Sequence, residues 1–429
     1  MKVIQKWSRL DNAAKIFPPT SSKHDSNVFR FTCELYETVD PQVLQHALDR
    51  TIVRFPFYKS ILKRGMFWYY LEESQQRPIV KEENESPCAP LYSADRPGLL
   101  FRVCYYKKRI NLEVFHALTD GVGAVQFLRT LVYFYLAEKH PDCAGGELQL
   151  DGRASSQEQI RQDAFEQYYD KDKKVRREKA NHAYRLRGAH LPDHRIGIVE
   201  GVLSTKAVLK NAHECRASMS EFLTAILLCS INDGMAVRDR LKPVAITVPV
   251  NLRQFFPTQT ARNFFGIIHI SYDFKGSGAS FPEVLAKVRS SFKELLVPEN
   301  MLEIINRYAS LENNFVIRAI PLEAKIPCLR FAGWRAERED TAALSNIGKI
   351  SMPPEMAGFI RLFDAFVGTG HPQICLCSFG DALAISYSSQ LESTDLPRCF
   401  FHRLAELGLD IEINSNLEQS EEEEADAVL

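Results

Sequence analysis

The sequence of 429 residues contains no long apolar run and no excess of charge of one sign. Its longest strongly apolar stretch, FLTAILLCSI at 222–231, is far shorter than the roughly 20 residues that a membrane-spanning helix needs. The formal net charge is -1, so neither nucleic acid nor an anionic membrane is an expected partner. The opening MKVIQKWSRL has no apolar core and no small-residue cleavage site, unlike a signal peptide, and we expect a cytoplasmic protein.

Several common catalytic motifs are also missing. No serine lies in a G-x-S-x-G sequence, and there is neither a P-loop nor a dinucleotide-binding glycine fingerprint. Ten cysteines are present, but no two form a C-x-x-C pair, and a cytoplasmic address argues against disulfides. Cys375 and Cys377 alternate along a predicted strand without further ligands nearby, so we expect no metal site.

Strand and helix patterns are mixed along the whole chain, which predicts an α/β protein. The length favours two domains. We predict an N-terminal subdomain over 1–170, a basic crossover linker over 171–195 and a C-terminal subdomain over 196–416. An acidic tail over 417–429 has no apolar pattern and is predicted to be disordered.

The segment 171–187 carries eight Lys or Arg residues against two acidic ones. Such a run is typical of a solvated linker helix. A dock for an acidic partner or for a nucleotide phosphate is the less favoured alternative, and the residues leave it open.

A polar cluster at His116 and Asp120 lies between a predicted strand and a predicted helix. FRVCYY (101–106) and INLEVFHAL (110–118) predict a hairpin, and a single apolar stripe predicts a helix from Gly121 onward. The junction reads VFHALTDG (114–121), with His116 at the end of the strand and Asp120 where a helix N-cap belongs. A purely structural turn explains these residues, and so does a reactive site.

The reactive interpretation relies on the histidine. Neutral imidazole, with an ordinary pKa of about 6.5, can take a proton from a hydroxyl or amine that attacks an acyl carbonyl. Because no serine or cysteine stands in a nucleophile motif, the pattern favours direct attack by the substrate over a covalent acyl-enzyme. Asp120 needs a cationic partner if it is buried, and Arg253 in PVNLRQFFP is the best candidate.

VFHALTDG resembles the H-x-x-x-D-G signature of the chloramphenicol acetyltransferase-like superfamily, which includes condensation domains, plant acyltransferases and alcohol acetyltransferases. Two later segments are similar in order, VPVNLRQFFPTQTARNFFG (248–266) and SNIGKI (345–350). The resemblance implies two similar subdomains, each a mixed sheet flanked by helices, with a channel between them.

The resemblance also implies roles for particular residues. His116 becomes the general base, Asp120 the structural partner of Arg253, and Gly121 the residue that permits the tight turn. Ser345 or Asn346 becomes a donor to the oxyanion, and Asn263 a contact of the channel or the acyl donor. Phe115 stands where condensation domains usually carry a second histidine, which makes peptide-bond formation less favoured.

The leading hypothesis is therefore an acyltransferase that moves an acyl group from a thioester, acyl-CoA in the first instance, to a hydroxyl acceptor. Two alternatives stay open. One is a free-standing condensation-type enzyme that takes its thioester from a carrier protein, and the other is a catalytically silent relative that binds a small molecule. We expect a monomer with small-molecule substrates and no permanently bound cofactor.

Overall fold

The computed structural model describes residues 7–22, 24–93, 95, 97–143, 163–171, 182–275, 279–313 and 315–417. Most of the basic run predicted as a linker, 172–181, lies outside the described residues, as does 418–429 of the predicted acidic tail. The domain boundaries stay predictions.

The described residues contain fifteen strands, most of them long enough to span one layer. In chain order they are β1 Trp7–Arg9, β2 Val28–Leu35, β3 Ser60–Arg64, β4 Tyr69–Glu73, β5 Lys81–Glu82, β6 Phe101–Tyr106, β7 Arg109–Phe115, β8 Gly197–Ser204, β9 Val244–Asn251, β10 Phe265–Tyr272, β11 Ala342–Lys349, β12 Ile360–Gly368, β13 Gln373–Phe379, β14 Ala382–Ser389 and β15 Glu412–Ser415.

The α-helices of the described residues range from a single turn to five turns. They are α1 Phe17–Thr20, α2 Pro41–Arg54, α3 Gly121–Lys139, α4 Ala164–Gln167, α5 Thr205–Glu214, α6 Met219–Asp233, α7 Phe281–Leu295, α8 Pro298–Asn313, α9 Phe315–Ala319, α10 Leu322–Ala336, α11 Pro354–Ala357 and α12 Asp395–Glu406. Among these residues, no helix combines the length and apolarity needed to cross a bilayer.

Local sequence explains where the main helices begin. Asp40 accepts hydrogen bonds from the first turn of α2, and Pro41 follows it at a position where no backbone donor is needed. Ser218 and Glu221 form a reciprocal capping box at the start of α6. The predicted N-cap at 218 or 220 is therefore the first of the two serines.

Two large mixed sheets dominate the architecture. One has seven strands in the order β10-β9-β11-β13-β14-β8-β15, and the other has five in the order β12-β2-β7-β6-β5. A smaller antiparallel sheet, β1-β4-β3, lies beside the five-stranded sheet in the first half of the chain. Each large sheet contains both parallel and antiparallel pairs, which confirms the prediction of mixed sheets flanked by helices.

The second half of the chain contributes one strand to the sheet of the first half. β12 pairs antiparallel with β2 over its full length, from Ile360 opposite Leu35 to Gly368 opposite Val28. α10 makes a second crossing, because Leu322 donates its backbone N–H to the carbonyl of Met66 at 2.8 Å. The halves are thus joined by backbone hydrogen bonds as well as by side-chain packing.

Candidate active site

His116 lies directly after β7, where the five-stranded sheet faces the second half of the chain. Its backbone N–H donates to the carbonyl of Asn27 at 2.8 Å, which fixes the main chain at the strand end. The imidazole stacks on Phe17 with ring centroids 4.4 Å apart and meets the edge of Phe29 at 5.0 Å. Phe265, from the second half, approaches it at 5.3 Å. Taken as a whole, the residue is half-buried.

The side chain of Asn263 holds this imidazole. Its Oδ1 lies 3.1 Å from Nδ1 of His116, while its Nδ2 donates to the carbonyl of His116 and to Oδ2 of Asp11, each at 3.1 Å. Two acceptors around Nδ2 fix the orientation of the amide, so Oδ1 must face the ring. Nδ1 therefore carries the proton, and Nε2 is left as the free acceptor nitrogen.

Burial disfavours the charged form of the ring. Removal from water lowers the pKa of His116 below its ordinary value, and the hydrogen bonds at the ring and the carboxylate of Asp120 oppose that shift only in part. Within the part of the chain that the structure describes, Nε2 has no hydrogen-bond partner. A neutral histidine with an unoccupied acceptor nitrogen is what a general base requires.

Asp120 and Arg253 form a buried ion pair, with Nη1 of Arg253 2.7 Å from Oδ2 of Asp120. The same carboxylate accepts the backbone N–H of Phe264 at 2.9 Å and, through Oδ1, that of Gly123 at 3.1 Å. It thereby caps α3 and ties it to the start of β10. Arg253 also donates to backbone carbonyls of the loop over 260–264 and to Oδ1 of Asn251.

The structure does not support the role that the sequence analysis gave to Gly121. It is the first residue of α3, and its φ is not in the left-handed region, so the turn does not require a glycine there. A Cβ at this position would make ordinary contacts with Phe31 at 3.6 Å and Ile347 at 3.7 Å. The glycine that the turn does require is Gly123, where a Cβ would collide with Thr119 and with the carbonyl of Ala261.

Ser345 and Asn346 lie on opposite faces of β11. Ser345 is aligned with Cys375, which packs in the core of the first half, and its half-buried hydroxyl faces that side. The side chain of Asn346 is exposed and donates to Oγ of Ser220 at 2.9 Å, near the start of α6. The next residue, Ile347, contacts the His116 turn, since a Cβ at Gly121 would lie 3.7 Å from its Cδ1. The pairing of β11 with β13 shifts register between Asn346 and Gly348.

Sequence reasoning missed the segment 10–17, which supplies Asp11 and Phe17 to the site. Asp11 is fully buried, its Oδ1 accepts the backbone N–H of Ala14 at 2.7 Å, and burial raises its pKa. The available signal was an Asp-Asn pair inside an otherwise apolar, irregular stretch ahead of two prolines. Among the described residues, no group of three His, Cys, Asp or Glu side chains is arranged to hold a metal ion.

No protein-family model matches the sequence, and comparison with curated proteins gives no match. Solved structures do match. The first condensation domain of the calcium-dependent antibiotic synthetase has a TM-score of 0.63 at 14% identity, covering 94% of this chain and 96% of that one. TRI101 from F. graminearum, in complex with coenzyme A and deoxynivalenol, has a TM-score of 0.61 at 13% identity, covering 95% and 100%.

A trichothecene 15-O-acetyltransferase from Fusarium sporotrichioides has a TM-score of 0.59 at 10% identity, covering 94% of each chain. These proteins resemble the present chain over nearly its whole length. The chain therefore has the chloramphenicol acetyltransferase-like fold, which condensation domains and these acetyltransferases share.

Proposed function

We propose that this protein is an acyltransferase that moves an acyl group from a thioester to a hydroxyl acceptor, with His116 as the general base. The observation that carries the proposal is the Asn263 contact, which leaves Nε2 of a neutral imidazole free to accept a proton. TRI101, a neighbour of the same fold, has been crystallised with coenzyme A, which supports an acyl-CoA donor.

The proposed reaction has two steps. Nε2 takes the proton of the acceptor hydroxyl as its oxygen bonds to the thioester carbonyl, which gives a tetrahedral intermediate. The C–S bond then breaks, the imidazolium returns its proton to the leaving thiolate, and the ester is released. No residue is acylated.

Ser345 is the proposed donor to the oxyanion, and the proposal is supported by its pairing with Cys375, which packs in the same core as the strand that carries His116. Asp120, Arg253 and Asn263 are positioning residues: the ion pair fixes the turn, and the amide fixes the ring. A preorganised donor and a fixed base are the two features that acyl transfer most needs from a protein.

A thiol-release assay tests the proposal. The protein is offered acyl-CoAs of increasing chain length with a panel of alcohols and amines, and a parallel set uses an acylated carrier protein as donor. His116→Ala should lower the transfer rate by about a hundredfold or more, since general-base catalysis contributes on that scale. His402→Ala, at an exposed histidine far along α12, serves as the matched control.

An unchanged melting temperature shows that the His116→Ala variant still folds. Transfer by that variant within a few-fold of the wild type would refute the base assignment. Release that occurs only from the carrier protein would keep the base but assign the donor to the condensation-type alternative.

A further inference from the structure

A large cavity lies between the first half of the chain and a short helix of the second half, outside the residues assigned to the site. Its volume is about 770 Å³, within the range of pockets that take drug-sized ligands. It is formed by β1, β4 and α9, and its walls are mostly aromatic: Trp7, Phe67, Trp68, Tyr69 and Tyr70.

The aromatic walls are more exposed than packing alone explains. Trp7 is 65% exposed and Phe67 40%, although both are large apolar side chains. The rings of Trp7 and Tyr70 pack edge to face with their centroids 6.3 Å apart, and together they form one side of the cavity. Exposed aromatic side chains beside a cavity of this size are typical of a ligand site.

The charges around the cavity exclude one class of ligand. Aromatic cages commonly bind quaternary ammonium groups through ring faces. Here two ammonium groups already lie over the ring of Trp68. Nζ of Lys325 is 3.9 Å from the ring centroid, and Nζ of Lys15 is 5.5 Å from it. Arg9 and Arg318 also line the cavity, against the single carboxylate of Glu72. A neutral or anionic ligand is therefore favoured over a cationic one.

One short segment connects this cavity to His116. Leu10 and Lys15 line the cavity. Asp11 bonds the amide of Asn263 that faces the imidazole, and Phe17 stacks on the imidazole itself. The cavity and the reactive ring thus lie against the same eight residues of chain.

We infer that this cavity binds the body of the acyl acceptor, and that the acceptor is a flat, largely apolar hydroxyl compound that is neutral or anionic. The inference rests on the proposed function for its chemistry. In this inference the aromatic walls bind the carbon skeleton of the acceptor, and the surrounding cations disfavour amines that carry a positive charge.

A binding experiment tests the cavity independently of catalysis. Trp334 is one of three tryptophans, and it lies outside the cavity on α10. Trp334→Phe therefore leaves Trp7 and Trp68 as the fluorescent residues, and both line the cavity. Hydroxybiphenyl and its carboxylate should change this emission and bind in calorimetry, whereas hydroxybiphenyl methylamine should bind at least about tenfold more weakly, as expected for an unpaired charge.

Shape is tested with cyclohexylcyclohexanol, which has the same carbon skeleton with puckered rings and should bind more weakly than hydroxybiphenyl. Equal affinity for the amine and the carboxylate would overturn the charge argument. A change in emission on addition of coenzyme A alone would assign the cavity to the donor and overturn the inference.

A blocking experiment links the cavity to transfer. Ala319 lines the cavity and is exposed, and Ala319→Trp should lower the ratio of ester formation to thioester hydrolysis by about tenfold with hydroxybiphenyl as acceptor. Ala336→Trp places the same side chain on an exposed turn of α10 that does not line the cavity, and it should leave the ratio unchanged.

The two hypotheses fail in different ways. If Ala319→Trp leaves the ratio unchanged while His116→Ala abolishes thioester cleavage, the acceptor assignment is wrong and the proposed function stands. If His116→Ala retains full transfer, the proposed base is wrong, whatever the binding experiment shows.

Discussion

The amide oxygen of Asn263 lies 3.1 Å from Nδ1 of His116, so a residue from the second half of the chain sets the protonation of a ring from the first half. This contact defines the free nitrogen of the site. It also makes the activity depend on the way in which the two halves meet.

Substitution of Asn263 should move the pH dependence of acyl transfer. Burial lowers the pKa of His116, so kcat/KM should fall only below about pH 6.5, the ordinary histidine value, as the base becomes protonated. Asn263→Asp places a carboxylate at Nδ1–H, which favours the imidazolium, and the acid limb should shift to higher pH. Asn263→Ala should lower kcat by about tenfold or more, because the tautomer is no longer fixed.

The comparison is a pH–rate profile for each variant, with Asn414→Asp on the edge strand β15, in the other large sheet from His116, as the control. If the acid limb of the profile does not move in Asn263→Asp, the side chain at position 263 does not influence the protonation of the catalytic base.

Removal of one member of the Asp120–Arg253 pair should destabilise the protein. Both side chains are largely buried, so Asp120→Ala leaves a cation without its carboxylate, at a cost of about 3–5 kcal/mol. Asp120→Ala combined with Arg253→Met should recover part of that loss, because no buried charge remains. Urea unfolding of the wild type, both single variants and the double variant measures the coupling, and strictly additive losses would argue against it.

The two glycines in the first turn of α3, Gly121 of the H-x-x-x-D-G sequence and Gly123 two residues later, should respond differently to a methyl group. Gly123→Ala should lower the melting temperature markedly, because the Cβ collides with Thr119 and the Ala261 carbonyl and overpacking costs about 1–3 kcal/mol or more. Gly121→Ala should leave stability unchanged or slightly improved, since its Cβ has room at the start of a helix. Calorimetry compares the two, and equal losses would show that the turn constrains both positions alike.

Stability should also depend on pH through Asp364, which is fully buried on β12. Burial is the main reason that its pKa rises to about 8, and Glu200 adds to the effect. Between the unfolded value near 3.8 and about 8, the folded state holds the extra proton. The contribution of Asp364 to stability is therefore fully present below pH 3.8 and is lost as pH rises through this window.

Asp364→Asn removes the titrating group, and its advantage in melting temperature over the wild type should grow from pH 5 to pH 8 by on the order of a few degrees. Asp410→Asn, at an exposed carboxylate, should show no such trend. A difference that does not change with pH would mean that Asp364 is ionised throughout.

Local pattern predicted the elements around the site well. The alternation in FRVCYY corresponds to β6 over Phe101–Tyr106, and the apolar stripe after Asp120 is α3. Arg253 was found because a buried carboxylate needs a cation, and the pair is present. In each case the physical cause lies within one element or in a simple charge requirement.

The features of the fold and the site that could not be predicted depend on contacts between segments far apart in the sequence. Nothing in FIRLFDAFVG indicates that β12 pairs with β2, because strand pairing across several hundred residues leaves no local pattern. The segment 10–17 has no helical or strand period, and its Asp-Asn pair indicates a buried polar group without indicating that Asp11 and Phe17 contact the site. The role of Asn263 at the imidazole required the position of a side chain 147 residues away.

The strand that β12 lends to the neighbouring sheet has a consequence for any attempt to dissect the chain. A fragment that ends near residue 195 would leave one side of β2 without its partner, exposing the unpaired amides and carbonyls of an open edge. Such a fragment should self-associate, and co-expression of the complementary piece should restore its solubility. Both folding and catalysis would then require the two fragments to be associated in one complex.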